Sequence, residues 1–321
     1  MSTLKNEYRH IPVLLDEVVK QAQGFKGDVF VDCTLGGAGH SVEIAKVLGK
    51  NGLLIGIDQD TEAIEAANAR LSEIPKKDRP ELRLVNDNFG NLDEIMMQQE
   101  IPGFGLILMD LGMSSHQIDD ISRGFSFKDD SPLDMRMDPA KQNLNAAKIV
   151  NLYSMGDLIR VLRDLGEEKW AKEIAREIVK TRENVEIKSS YQLVDIIKRA
   201  IPAAARRTGG HPAKRTFQAL RIEVNDELKV LKKGLDSAIK WLNPGGKIMV
   251  LTYHSLEDRI VKETFQDMEN RCTCPPDLPK CVCGKQPILN VLTSKPIIPS
   301  KEEIEKNSRS RSAKLRVAQK L

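Results

Sequence analysis

Between Gly27 and Asp110 the chain repeats one pattern: a short apolar run that closes on a polar residue, then a helical stretch. The runs are Asp28 to Asp32, Leu53 to Asp58, Leu82 to Asn86 and Leu106 to Asp110, with helical patterns at Ser41 to Leu48 and Thr61 to Leu71. Such alternation predicts a βαβαβ unit, a parallel sheet covered by helices. The pattern breaks after Asp110. Gly112 to Asp138 is rich in Ser, Asp and Gly, and helical periodicity follows from about Asn145 to Ala200 with no strand signal. A long amphipathic helix is expected from Val224 to Leu242, stopped by Asn243-Pro-Gly-Gly246, with a fifth strand over Lys247 to Tyr253. The chain therefore reads as an α/β domain, residues 1–130 and 215–321, interrupted by an all-helical insertion over 131–214.

Composition removes other classes. The 321 residues are 40% hydrophobic and 30% charged, and no apolar run reaches the roughly 18 residues a membrane helix needs. The segment Met1 to His10 carries Lys5, Glu7 and Arg9 and lacks the apolar centre of a secretory signal, so a cytosolic location is expected. Five cysteines, an odd number, do not make a disulfide framework for a chain this long. A net charge of +3 is too small to identify a nucleic-acid partner by itself.

The turn Cys33-Thr-Leu-Gly-Gly-Ala-Gly-His40 lies between the first strand and first helix. Glycines there let the backbone approach a ligand, and the helix that follows presents unpaired N–H groups. Gly36, Gly37 and Gly39 make this a candidate ligand-binding turn. The loop lacks the Lys-Ser/Thr of a phosphate-binding P-loop, and Val42 occupies the place where a dinucleotide fingerprint has its third small residue. Asp58 ends the second strand about 20 residues beyond the glycines, where a carboxylate can accept both hydroxyls of a ribose. Asn86-Asp87-Asn88-Phe89 ends the third strand with groups that suit hydrogen bonding and stacking on an adenine. Each feature has a plainer reading: a tight turn for the glycines, a helix cap for Asp58, a core position for Phe89. Together they favour a nucleoside cofactor at the sheet edge, with S-adenosylmethionine and NAD both open.

The fourth strand ends in Asp110-Leu-Gly-Met-Ser-Ser-His-Gln117, a carboxylate followed by two hydroxyls, an imidazole and a carboxamide. Here the sequence closely resembles the bacterial small-subunit rRNA cytosine-N4 methyltransferases, the MraW or RsmH family. Five blocks carry the resemblance: His10 to Glu17 (HIPVLLDE), Asp110 to Gln117, Arg123 to Asp138 (RGFSFKDDSPLDMRMD), His211 to Leu228 (HPAKRTFQALRIEVNDEL) and Pro244 to Lys262 (PGGKIMVLTYHSLEDRIVK). The resemblance implies a class I S-adenosylmethionine-dependent methyltransferase with a Rossmann-like sheet, acting on a cytosine in the decoding region of 16S rRNA, the insertion helping to hold RNA. By matching motifs it implies cofactor contacts at Ala38, Gly39, His40, Asp58, Phe89, Asp110 and Gln117. His116 stands where many relatives have proline, which bears on the stiffness of its loop.

The exocyclic amine of cytosine is a poor nucleophile because its lone pair is delocalised into the ring. Acceptors aimed at its N–H bonds would favour the geometry of attack and stabilise the charge that develops. Asp110 is the expected acceptor, Ser114 and Ser115 are candidates to position the base, and His254 is a second candidate on the same edge, with a structural histidine as its plainer reading. No metal ligand is assigned to the reaction. Cys272, Cys274, Cys281 and Cys283 form two Cys-x-Cys pairs that could close a zinc site or could be reduced thiols in a surface loop. Cys33 reads as a small core residue. Two basic runs could track RNA: Arg199, Arg206, Arg207, Lys214 and Arg215, and Arg309, Arg311, Lys314, Arg316 and Lys320. The resemblance implies 16S rRNA or the assembled small subunit as the partner, with no membrane, and monomer and homodimer are both open. The rival readings are an NAD-dependent dehydrogenase, disfavoured by Val42, and a non-catalytic RNA-binding protein on this fold.

Overall fold

The computed structural model describes residues 11–113, 120–207, 210–270, 274 and 282–321. The chain divides into two compact units, one formed by residues up to Gly112 and from Leu228 onward, the other by Met113–Glu227. Among the described residues no helix is long and apolar enough to cross a membrane.

The first unit is a seven-stranded sheet in the order β3-β2-β1-β4-β5-β7-β6. Its strands are β1 Val29–Asp32, β2 Leu53–Asp58, β3 Glu81–Asn86, β4 Phe104–Asp110, β5 Leu242–Thr252, β6 Leu289–Val291 and β7 Lys314–Lys320. The first five run parallel, and β7 is antiparallel to both β5 and β6. Apolar side chains on both faces explain the continuous apolar runs. Leu106 and Leu108 of β4 pack with Phe30, Leu54, Met249 and Leu251. Ile107 and Met109 pack into the opposite core with Val31, Ile55, Ile57, Ile248 and Val250. Strand order turns back at β1 and β4, so the carboxyl ends of these strands flank the crevice where doubly wound sheets bind ligands. Covering helices are α1 Leu15–Ala22, α2 Gly39–Leu48, α3 Thr61–Leu71 and α4 Leu92–Gln98.

The second unit is helical: α5 Ala146–Leu152, α6 Met155–Arg160, α7 Ala171–Arg182, α8 Ser190–Ala200, α9 Ala203–Arg206 and α10 Lys214–Asn225. Its boundaries are wider than the 131–214 read from the sequence. Phe125, Leu133, Met135 and Met137 from the loop-like stretch, and Phe217, Leu220 and Val224 from α10, are all buried in the helical core.

Two local expectations change. The helix expected over Val224 to Leu242 is two helices, because Asp226 takes a left-handed conformation at φ 50° between α10 and α11 Glu227–Trp241. Asn243-Pro-Gly-Gly246 does not precede the fifth strand but lies inside it, at a register shift where Phe104 faces Leu242 and Leu106 faces Lys247. The last helices of the first unit are α12 Ser255–Glu269 and α13 Lys301–Lys306.

Buried Asn225 ties the loop of the second unit to α10. Its Oδ1 accepts from Met137 N at 2.9 Å and Gln142 Nε2 at 3.1 Å, and its Nδ2 donates to Met135 O at 2.9 Å and Arg221 O at 2.8 Å. Asn225→Ala would leave a buried N–H and carbonyls unpaired, so it is expected to cost about 2–4 kcal/mol. Chemical denaturation should show the lowered midpoint, and hydrogen exchange should show loss of protection at Met137.

Candidate active site

The site grows from buried carboxylates at the strand tips. Asp32, 2% exposed, ends β1, and its Oδ2 accepts from Ser41 Oγ at 2.6 Å while Oδ1 accepts from Thr34 N at 3.1 Å. Burial pushes its carboxyl upward against these bonds. Thr34 Oγ1 in turn accepts from Asp110 N at 2.7 Å, joining the glycine turn to the tip of β4. Sequence reading singled out neither Asp32 nor Thr34. The signal was present, since an acidic residue ending the apolar run VFVD must find donors when the strand is buried.

Asp58 at the tip of β2 accepts from Gly36 N at 2.8 Å through Oδ2 and from Asp60 N at 2.9 Å through Oδ1. Burial, opposed by these two bonds and reinforced by the charges of Asp60 and Asp32, raises its carboxyl to about 6. Asp60, not Asp58, caps α3, accepting from Glu62 N at 3.1 Å. The turn itself is held by Leu35 N to Ile57 O at 3.0 Å and by Arg70 Nη1 to Gly37 O at 3.0 Å. Ala38 at φ 57° precedes the first turn of α2. At Gly39 a Cβ would lie 2.6 Å from Pro12 Cγ, so the third glycine serves a close approach by the N-terminal block. That block also supplies the Val13 carbonyl, 2.9 Å from His40 Nε2.

At the tip of β3 the polar residues hold the turn. Asn86 Nδ2 donates to Asp58 O at 3.0 Å, Asn88 Oδ1 accepts from Gly90 N at 2.8 Å, and Asn88 Nδ2 reaches Gln59 Oε1 at 3.1 Å. Phe89 is half-buried and seated against α11, where a Cβ on Gly234 would lie 2.6 Å from its Cδ2.

Asp110, 24% exposed, is the meeting point. Its Oδ1 accepts from the Tyr253 hydroxyl at 2.7 Å, and its Oδ2 lies 3.6 Å from Nδ1 of buried His40. Burial and the Asp110 charge push the Tyr253 phenol well above its usual range, keeping it a neutral donor. His254, the neighbour that the sequence offered, faces elsewhere. It caps α12, with Nε2 3.1 Å from Glu257 Oε1, while its N–H and that of Tyr253 donate to Glu257 Oε2 at 3.2 and 2.8 Å. Ser114, Ser115, His116 and Gln117 lie outside the described residues, as do Cys272 and Cys281. Cys274 Sγ accepts from Val282 N at 3.4 Å. Cys33 is buried beside the turn, as a core residue would be.

Residues 7–321 match the model of the MraW methylase family. A ribosomal RNA small subunit methyltransferase H from Clostridium botulinum (strain Kyoto / Type A2) is 52% identical over 315 residues, covering 98% of this chain and 100% of the relative. A protein of the same name from Ruminiclostridium cellulolyticum is 50% identical with the same coverage. Among solved structures, a putative rRNA-methylase from Clostridium thermocellum gives a TM-score of 0.44 at 13% identity, covering 96% of this chain and 95% of that one. A putative methyltransferase from Streptococcus mutans in complex with SAH also gives 0.44, at 9% identity and the same coverage. The dehydrogenase reading falls away. Matched along nearly its whole length, the chain belongs to the MraW methylase family and is a class I S-adenosylmethionine-dependent methyltransferase.

Proposed function

We propose that the rim formed by the glycine turn, Asp58, Phe89 and Asp110 places the acceptor amine of a cytosine in the decoding region of 16S rRNA beside the methyl donor. The reaction is methyl transfer from S-adenosylmethionine to the exocyclic N4 amine of a cytosine in 16S rRNA. The cofactor supplies an electrophilic methyl group on a sulfonium, so the protein's task is to improve and aim the nitrogen. The observation that carries the assignment is Asp110, a carboxylate at the tip of β4, fixed through its own N–H to Thr34 and through Oδ1 to Tyr253. Such an acceptor can hold an amine N–H, favour the pyramidal geometry of attack and stabilise the charge that develops on nitrogen. The proton leaves after the bond to carbon forms, so Asp110 need not abstract it first.

The donor set suits a nucleoside. Asp58 has one backbone N–H on each oxygen, and a carboxylate has further acceptor sites for two ribose hydroxyls. Phe89, seated against Gly234, would take the adenine, and Gly37, Ala38, Gly39 and His40 the remainder, with Gln117 added by family resemblance. Ser114 and Ser115 we keep as the residues that position the base. His254 we read as the cap that anchors the backbone of Tyr253.

RNA binding is assigned to the helical unit. Exposed Arg206, Arg207 and Lys214 have no ion-pair partner among the described residues, and nearby Phe127 and His211 stack with centroids 4.5 Å apart, a surface suited to unpaired bases. The C-terminal basic run is largely spent internally. Lys314 and Arg316 pair with Asp258 at 2.8 and 2.6 Å, and Lys320 Nζ donates to Ile239 O at 2.8 Å. The target base must be extruded or already unpaired to reach the rim. We place the protein in the cytoplasm, acting on 16S rRNA or the small subunit.

Asp110→Ala is expected to slow single-turnover methylation of unmethylated small subunits by about 100- to 1000-fold. Full turnover in that variant would remove Asp110 from the reaction. For Asp58, hydroxyl donors favour the ionised form, so bound cofactor pulls its carboxyl below the free protein's value of about 6. Affinity for S-adenosylhomocysteine should therefore be full above pH 6 and fall as pH drops through that value. Calorimetry from pH 5 to 7.5 checks this, and Asp58→Asn should flatten the profile. Neutralising Arg206 and Arg207 together should reduce the slope of log affinity for RNA against log salt by roughly 1 to 2, whereas an unchanged slope would place the RNA elsewhere.

A further inference from the structure

We propose that Tyr253 is a positioning residue for methyl transfer, its hydroxyl fixing both the rotation and the ionised state of the Asp110 carboxylate. The inference rests on the reading of Asp110 as the acceptor of the cytosine amine. An aspartate at a strand tip rotates broadly about its terminal torsion, and an amine acceptor that turns freely cannot keep an N–H aligned through attack. Tyr253 removes that freedom with a 2.7 Å hydrogen bond to Oδ1.

Three features keep the phenol where it is. The backbone N–H of Tyr253 donates to Glu257 Oε2 at 2.8 Å, anchoring the chain to the first turn of α12. Its ring packs against the core that contains Leu108 and Leu251. Gly112, at φ +112°, follows the tip of β4 closely, and a Cβ there would come within 3.3 Å of the tyrosine ring. The ring has room because residue 112 has no side chain, and that backbone conformation strains any other residue.

A hydrogen bond donated to a carboxylate favours its ionised form, so Tyr253 lowers the basicity of Asp110. This suits a group that must accept an N–H without taking the proton early. Among the described residues, the charged and titratable groups around the pair include Asp32 from β1, His40 from α2, Glu257 from α12 and Glu303 from α13, with His254, Arg311 and Lys314 lining the same pocket as Tyr253. Tyr253 itself remains protonated, and no proton is routed through it.

The test is single-turnover methylation of unmethylated small subunits by four full-length proteins: the parent, Tyr253→Phe, Asp110→Asn and the double variant. Tyr253→Phe should slow the parent by about 10- to 100-fold. It should shift the acid limb of its rate profile to higher pH and leave the affinity for S-adenosylhomocysteine within about twofold of the parent. In the Asp110→Asn background the same change should alter the rate by less than about twofold, because its route of action is gone. Equal losses in both backgrounds, a full rate in Tyr253→Phe, or an unmoved acid limb would each overturn the role of Tyr253 while leaving Asp110 in place. A full rate in Asp110→Asn would instead overturn the reading beneath it. Should Tyr253→Phe fail to fold, fluorotyrosine at position 253, a stronger donor, should move the acid limb to lower pH, and an unmoved limb would overturn the proposal.

Discussion

The site depends on buried carboxylates that accept from backbone N–H groups of the turns beside them. Asp32 and Asp58 sit at adjacent strand tips, and each accepts from the glycine turn, Asp32 at Thr34 and Asp58 at Gly36. The turn leaves β1 and starts α2 without a side-chain cap, so these bonds fix its shape together with those from Leu35 N to Ile57 O and from Arg70 Nη1 to Gly37 O. Burial opposes the charge of both acids, yet their donors are fixed. The protein thus carries an electrostatic cost at these two strand tips.

The parallel half of the sheet could be read from the chain because its signals are local. Apolar runs ending in polar residues gave β1 to β4 within two residues of their observed bounds, and the acids at their tips were visible as breaks in those runs. What escaped depends on distant partners. The N-terminal block could be recognised, but nothing in it said that Pro12 would press on Gly39 or that Val13 would hold His40. His254 stood as a second candidate beside its plainer reading as a structural histidine, and nothing local in the sequence pointed to Tyr253. The strand ending at Thr252 turns the tyrosine toward Asp110, and the helix that follows claims the histidine. The break at Asp226 carried no warning, since a single left-handed aspartate leaves the apolar spacing on either side intact.

The basic residues give the same lesson about charge. Read as a string, the two clusters are equivalent. Folded, Lys314 and Arg316 share Asp258 from a helix more than fifty residues earlier, and Lys320 lies over the carbonyls ending α11, whereas Arg206, Arg207 and Lys214 are exposed with no ion-pair partner among the described residues. A cation already matched inside the protein has little to give a phosphate, so the number of arginines and lysines matters less than how many remain unspent.

The antiparallel strand β7 lies between β5 and β6 although both precede it in the chain. During synthesis, β6 therefore has no neighbour to pair with until Lys314–Lys320 has left the ribosome, and β5 has an unpaired flank over the same interval. The helical unit, by contrast, lies wholly upstream of β5 and can compact while the sheet is still open. Assembly of the sheet unit is thus timed by one late strand, and a nascent chain stalled before it would display two bare strand edges to any neighbour.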